Sequence, residues 1–139
     1  PLENFLYLPQ KPCVSQESID SLIMRIKRLR AADKNCYILL IIHWGWEHHF
    51  RATPQQREDA RKLIDAGADA IVGHHSHTLQ TIETYRGKPI YYGIGNFIFD
   101  QRKPMNSRAC LVELSITAEK CKAKALPIEI KNCTPYLSK

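Results

Sequence analysis

Ala70-Ile71-Val72-Gly73-His74-His75-Ser76-His77 decides how the rest of the chain is read. A short apolar run ends in a glycine, and three imidazoles follow within four positions. All six histidines of the protein lie between His43 and His77. Histidine is the commonest metal ligand and the side chain that titrates nearest neutrality. In extended backbone side chains repeat every two positions, so His75 and His77 are expected to point to one side and address one metal centre together. Taken alone, the same residues also fit a polar loop whose histidines face solvent.

Working outward on the amino-terminal side, Asp69 to Val72 forms a strand, and Gly67 closes the helix before it. Thr53-Pro54-Gln55-Gln56 marks the start of that helix: threonine as N-cap, proline at the first position and glutamine three residues on. Ala60, Leu63 and Ile64 form its buried stripe. Earlier still, Tyr37-Ile38-Leu39-Leu40-Ile41-Ile42 is continuous, apolar and rich in β-branched residues, the pattern of a strand buried on both faces. It runs into His43-Trp44-Gly45-Trp46-Glu47-His48-His49. A strand–helix–strand order implies two parallel neighbours joined by a right-handed crossover. Parallel strands end on one edge of a sheet, where α/β proteins keep their ligand sites. His43 is therefore expected to converge with His75 and His77, which moves the histidines from a solvated loop toward a metal site.

The flanks carry less chemistry. Residues 1–14 hold three prolines and no period and read as a connecting segment. From Ser18 to about Ala32, Ile19, Leu22, Ile23, Ile26 and Leu29 recur at helical spacing, with Arg25, Lys27, Arg28 and Arg30 mostly on a solvated face. Asp33-Lys34-Asn35 ends that helix. Leu79 to Tyr85 and Pro89 to Tyr92 flank Arg86-Gly87-Lys88 as a hairpin. Gly93-Ile94-Gly95-Asn96 has only two glycines of a dinucleotide fingerprint and no helix after it, which excludes that assignment. Ala109–Thr117 and Lys122–Ile130 alternate as strands.

The net charge of +6 divides into +2 over residues 1–36, −1 over 37–100 and +5 over 101–139. The histidine region is thus not the basic region, which excludes a nucleic-acid reading of the site. Lys120, Lys122 and Lys124 alternate with small residues as one solvated strand face, against the alternative of an anionic-polymer or membrane-surface patch. The five cysteines show no two-residue spacing of a zinc knuckle or redox motif and read as small core or surface residues. The longest apolar run is too short to cross a bilayer. The chain begins at Pro1 without methionine, as expected of a processed form or an excised piece, and its 139 residues make one domain or a fragment of one.

Five blocks carry a resemblance: His43-Trp44-Gly45-x-Glu47, Pro54-x-Gln56-Arg57, Leu63-Ile64-Asp65-Ala66-Gly67-Ala68-Asp69, Gly73-His74-His75-Ser76-His77 and Tyr92-Gly93-Ile94-Gly95-Asn96-Phe97-Ile98-Phe99-Asp100. In this order, over residues from about 38 to 100, they resemble the bacterial capsule-synthesis CapA (poly-γ-glutamate synthesis) group, a branch of the calcineurin-like metallophosphoesterases. The resemblance implies an α/β fold, part of a four-layer α-β-β-α metallophosphoesterase-like sandwich with mixed sheets. It implies divalent metal ions (Mn, Zn or Fe) held in part by His43, His75 and His77. Glu47 and His74 are the candidate catalytic side chains, although His74 stands where the wider superfamily has glycine. Glu47 fits an acid–base group, a carboxylate orienting a ligand histidine, or a surface carboxylate of the loop. Trp44 and Trp46 either line a cleft or pack beneath the loop, and Asn96 either bonds across the site or serves a turn. His48 and His49 are expected to be exposed.

The resemblance has a gap. The sequence contains no Asp-x-His, no Gly-Asp and no Gly-Asn-His, the motifs that carry the family's acidic and amino-terminal ligands. The chain therefore looks like the carboxyl-terminal half of the catalytic domain, inactive by itself. The parent is expected to be a metal-dependent hydrolase acting on an anionic polymer or phosphorylated substrate, at the cell surface or membrane-associated through parts outside this chain. The alternative is a non-catalytic binding or assembly module for polyglutamate or polysaccharide export. An incomplete sheet face also implies self-association, with a homodimer as the expected form.

Overall fold

The computed structural model describes residues 15–100, 103–117 and 121–138. The expected connecting segment 1–14 and Lys120 lie outside them. The described residues are α/β, with two α-helices, a mixed four-stranded sheet and a three-stranded antiparallel sheet.

Helix α1 spans Ile19–Ala32, with the Ser18 side chain capping its first turn by accepting from the Ser21 N–H. Ile19, Leu22, Ile23 and Ile26 pack into the core, whereas Leu29 is exposed. Strand β1 is Leu39–His43, helix α2 is Pro54–Ala66 and strand β2 is Ala70–His74. The start of α2 is a full capping box: the Thr53 hydroxyl accepts from the Gln56 N–H, and the Gln56 side chain returns the bond to the Thr53 N–H. Gly67, at φ 120°, ends it in a conformation an L side chain resists. Strands β1 and β2 are parallel, with His43 opposite His74. The hairpin of β3 (Ile82–Tyr85) and β4 (Lys88–Tyr91) turns at Arg86-Gly87, both at positive φ as a type I′ turn requires. The sheet order is β1-β2-β4-β3.

Both helices pack on one face of this sheet, against Leu40, Ile42, Ile71, Ile90 and Tyr92. The second sheet is β5 (Arg108–Ile116), β6 (Cys121–Lys131) and β7 (Thr134–Leu137), and it packs on the other face. There Val72 and Tyr91 meet Cys110, Val112, Ala123 and Ala125. Lys122 and Lys124 lie exposed on the outer side, as the alternation predicts. Cys36, Cys110 and Cys133 are unpaired. No helix among the described residues is long and apolar enough to cross a membrane.

Two expectations are corrected and one strand is added. Strand β1 is not buried on both faces: it forms one edge of the sheet, and Ile41 is 71% exposed. The apolar run reflects a second face that the three-stranded sheet does not reach. Arg30 is not part of a solvated stripe. Its guanidinium bonds the carbonyls of Lys34, Cys36 and Gly67 and pairs with Asp69 at 2.5 Å. Strand β7 was not expected at all. Its Pro135 speaks against a strand, but β7 pairs with β6 alone, an edge position that tolerates proline.

Candidate functional site

Parallel pairing brings the carboxyl ends of β1 and β2 together, and the loops that follow are laced to one another. The Trp44 N–H donates to the His74 carbonyl at 3.3 Å, and the His48 N–H to the Ser76 carbonyl at 2.7 Å. The Thr78 hydroxyl and the Gln80 amide both donate to the His49 carbonyl, at 2.6 and 2.8 Å. Gly73 is obligatory for the close approach beneath these loops. A Cβ there would stand 2.1 Å from the Tyr92 carbonyl oxygen and 2.5 Å from the Trp44 indole nitrogen. Trp44 itself stacks on Tyr92 and donates to the Tyr92 carbonyl at 3.0 Å, so it packs beneath the loop. Trp46 is exposed and meets His49 edge-on.

His43 and His75 are in direct contact, with Nε2 of His43 2.8 Å from Nδ1 of His75. His75 and His77, however, are not presented by strand alternation. His75 lies at φ 93° and His77 at φ 57°, so the backbone through this pair is left-handed, not extended. The chain turns sharply after β2, and the turn rather than the two-residue period presents the imidazoles. Non-glycine residues held at positive φ store strain and concentrate at functional sites.

His77 has a separate set of contacts. Its Nδ1 is 2.8 Å from Oδ1 of Asn96, its ring is flanked by Phe99 and His48, and its Nε2 is 3.9 Å from the Glu47 carboxylate. Asn96 reaches this position because Gly95, at φ 78°, lies against the Arg108 carbonyl, where a Cβ would come within 2.7 Å. His48 is not simply exposed. Its Nε2 is 3.0 Å from the Lys103 ammonium, and its Nδ1 is buried with no hydrogen-bond partner. His49 is exposed and its Nδ1 meets the Glu47 carbonyl at 2.8 Å. Neither the Lys103 contact nor the Asn96 contact is readable from spacing, since both cross to loops far along the chain.

Burial first, then the neighbouring His75, His74 and His77, hold the His43 pKa below the ordinary imidazole value. Burial does the same to His74, which faces His43 across the β1–β2 pairing. Both shifts keep the rings neutral with lone pairs available, the form a metal requires. His43 and His74 also line a cleft of about 980 Å³ that wraps the free edge of β1, with Ile41, Trp46 and Asp59 among its walls.

Among the described residues, no group of three or more histidine, cysteine or acidic side chains is arranged to hold a metal ion. The donors that converge are the His43 and His75 nitrogens, with His77 and Glu47 beyond them. Such a set fits part of a metal site and not a whole one: imidazoles suit transition metals, and the carboxylates needed to balance two cations are missing.

Comparison with known proteins gives a consistent picture. The profile of the family described as bacterial capsule synthesis protein PGA_cap matches residues 3–101, extending the likeness through α1. A PGA biosynthesis protein CapA of Bacillus subtilis (strain 168) is 38% identical over 112 residues, 79% of this chain and 30% of the relative. A capsule biosynthesis protein CapA of Bacillus anthracis is 38% identical over 96 residues, 68% of this chain and 23% of the relative. A probable polyglutamine synthesis accessory protein of Mycobacterium tuberculosis (strain ATCC 25618 / H37Rv) is 44% identical over 62 residues, 45% of this chain and 16% of the relative. The chain thus spans less than a third of the length of these relatives. Since one profile takes in the crossover, both histidine loops and Asn96, the chain belongs to the bacterial capsule synthesis protein PGA_cap family.

Proposed function

We propose that this chain is the carboxyl-terminal part of a metal-dependent, phosphoesterase-like protein of poly-γ-glutamate capsule synthesis, and that it contributes half of the metal site. The observation that carries the reading is the direct His43–His75 contact at the ends of two parallel strands. His43, His75 and His77 would hold divalent Mn, Zn or Fe in their neutral forms, with the acidic ligands coming from the rest of the longer protein. Bound there, a metal supplies Lewis acidity and a lowered pKa for coordinated water. Glu47, 3.9 Å from His77 Nε2, would accept or return a proton, and half-buried His74 would face the same substrate. The substrate class is an anionic polymer or a phosphorylated intermediate. The two-sheet core with helices on one face supports completion to a four-layer sandwich by the missing part. A cell-surface or membrane-associated place for the parent follows from capsule assembly.

The test is a calorimetric titration of the 139-residue chain with Zn²⁺ or Mn²⁺, against a His75→Ala, His77→Ala double variant, with a generic phosphoesterase assay alongside. The expected outcome is weak binding lost in the variant and no turnover by either. Unchanged affinity would remove the site assignment. Turnover by the isolated chain would show that it does not need the missing carboxylates. A non-catalytic assembly role gains if the parent's acidic ligand positions are substituted.

A further inference from the structure

We propose that Asn96 is a positioning residue that fixes His77 as the Nδ1–H tautomer and so keeps the Nε2 lone pair turned toward Glu47. The argument begins with donors and acceptors. The Asn96 side-chain oxygen only accepts, and it lies 2.8 Å from His77 Nδ1, so with the amide in this orientation the proton of the neutral ring sits on Nδ1. Neutral imidazole in water favours the opposite tautomer, with its proton on Nε2. The contact therefore imposes a form the ring would not choose.

Asn96 can impose it because it is itself fixed: it is 9% exposed and follows a glycine whose left-handed turn abuts the Arg108 carbonyl. Phe99 and His48 flank the ring at centroid distances of 5.1 and 5.8 Å and restrain its turning over. The consequence appears on the other nitrogen. At 3.9 Å, His77 Nε2 and the Glu47 carboxylate are too far apart for a hydrogen bond, and with Nδ1 protonated both are acceptors. Two facing acceptors repel unless a cation or a donor stands between them. On the proposed metal site, a divalent cation is that occupant. The tautomer does not rest on it.

The experiment is nitrogen-15 NMR of the 139-residue chain labelled at histidine, at about pH 9, where imidazoles are neutral. The expected result is His77 protonated on Nδ1 in the wild type, a swing to Nε2–H in Asn96→Ala, and retention of Nδ1–H in Asn96→Asp, whose carboxylate accepts the same bond. A merely structural role for Asn96 would leave the tautomer unmoved. Wild-type His77 found as Nε2–H, or unchanged in Asn96→Ala, would overturn the proposal. Should the alanine variant fail to fold, the wild-type and aspartate spectra decide. Titration with Zn²⁺ then separates the two ideas. A shift of His77 Nε2, with affinity at least about tenfold weaker in Asn96→Ala, supports both. A fixed tautomer with no response to Zn²⁺ keeps the positioning role and overturns the metal role of His77.

Discussion

Asp69 ties three separate parts of the chain together through one carboxylate. Its carboxylate accepts from Arg30 of α1 and Lys88 of β4, each at 2.5 Å, and from the Ile38 N–H at 2.9 Å. Burial pushes its pKa upward, but the bonds from Lys88, Ile38 and Arg30 outweigh this and hold it below the ordinary carboxylate value. Because the folded pKa is depressed, the stabilisation is present above the unfolded value near 4 and is lost as pH falls through the folded one. Replacing Asp69 by asparagine leaves two cations facing an uncharged group that is mostly buried. The expected cost is about 3 kcal/mol of unfolding free energy in urea, with the difference from wild type shrinking below about pH 4. Equal stability of the two proteins at neutral pH would contradict this. At this scale the sequence is a poor guide: Arg30 sits in an ordinary basic stripe, and nothing local announces a carboxylate 39 positions away.

The elements differ in how far they can be read in advance, and the reason is locality. Helix α2 is legible because its stop and start are made within a few residues, by Thr53, Pro54, Gln56 and Gly67. The β1–β2 pairing is legible through the crossover rule, and with it the meeting of His43 and His75. The exposed face of β1 is not, since an apolar run looks the same whether or not a second layer covers it. Nor is the left-handed backbone of His75 and His77, which is set by loops stitched together from four parts of the chain. Gly73 lies between these cases, a glycine in a strand whose purpose appears only once Trp44 and Tyr92 close over it. Alanine at Gly73 should force the Trp44 indole off the Tyr92 carbonyl. The expected result is about 2–4 kcal/mol of destabilisation, with a changed Trp44 fluorescence spectrum in the folded state. A variant of wild-type stability and spectrum would mean the contact yields more easily than the distances imply.

Across the whole molecule, the mixed sheet is covered by helices on one face and by the second sheet over only part of the other. Leu39 and Ile41 remain outside that cover, on a strand that among the described residues pairs on one side only. The isolated chain should therefore self-associate at high concentration through this edge, and Ile41→Lys should shift it toward monomer in sedimentation velocity. A wild type that remains monomeric would show that the edge is protected. The histidine end of the molecule behaves differently. Its two loops share backbone bonds from Trp44 and His48 and side-chain bonds from Thr78 and Gln80, so they are held as a ladder is held although neither is a strand. Amide hydrogens in such a place exchange slowly with solvent, on the timescale of the sheet and not of a surface loop. A ligand arriving there finds its seat already rigid, and the exchange pattern of His48 should look nearly the same before and after it binds.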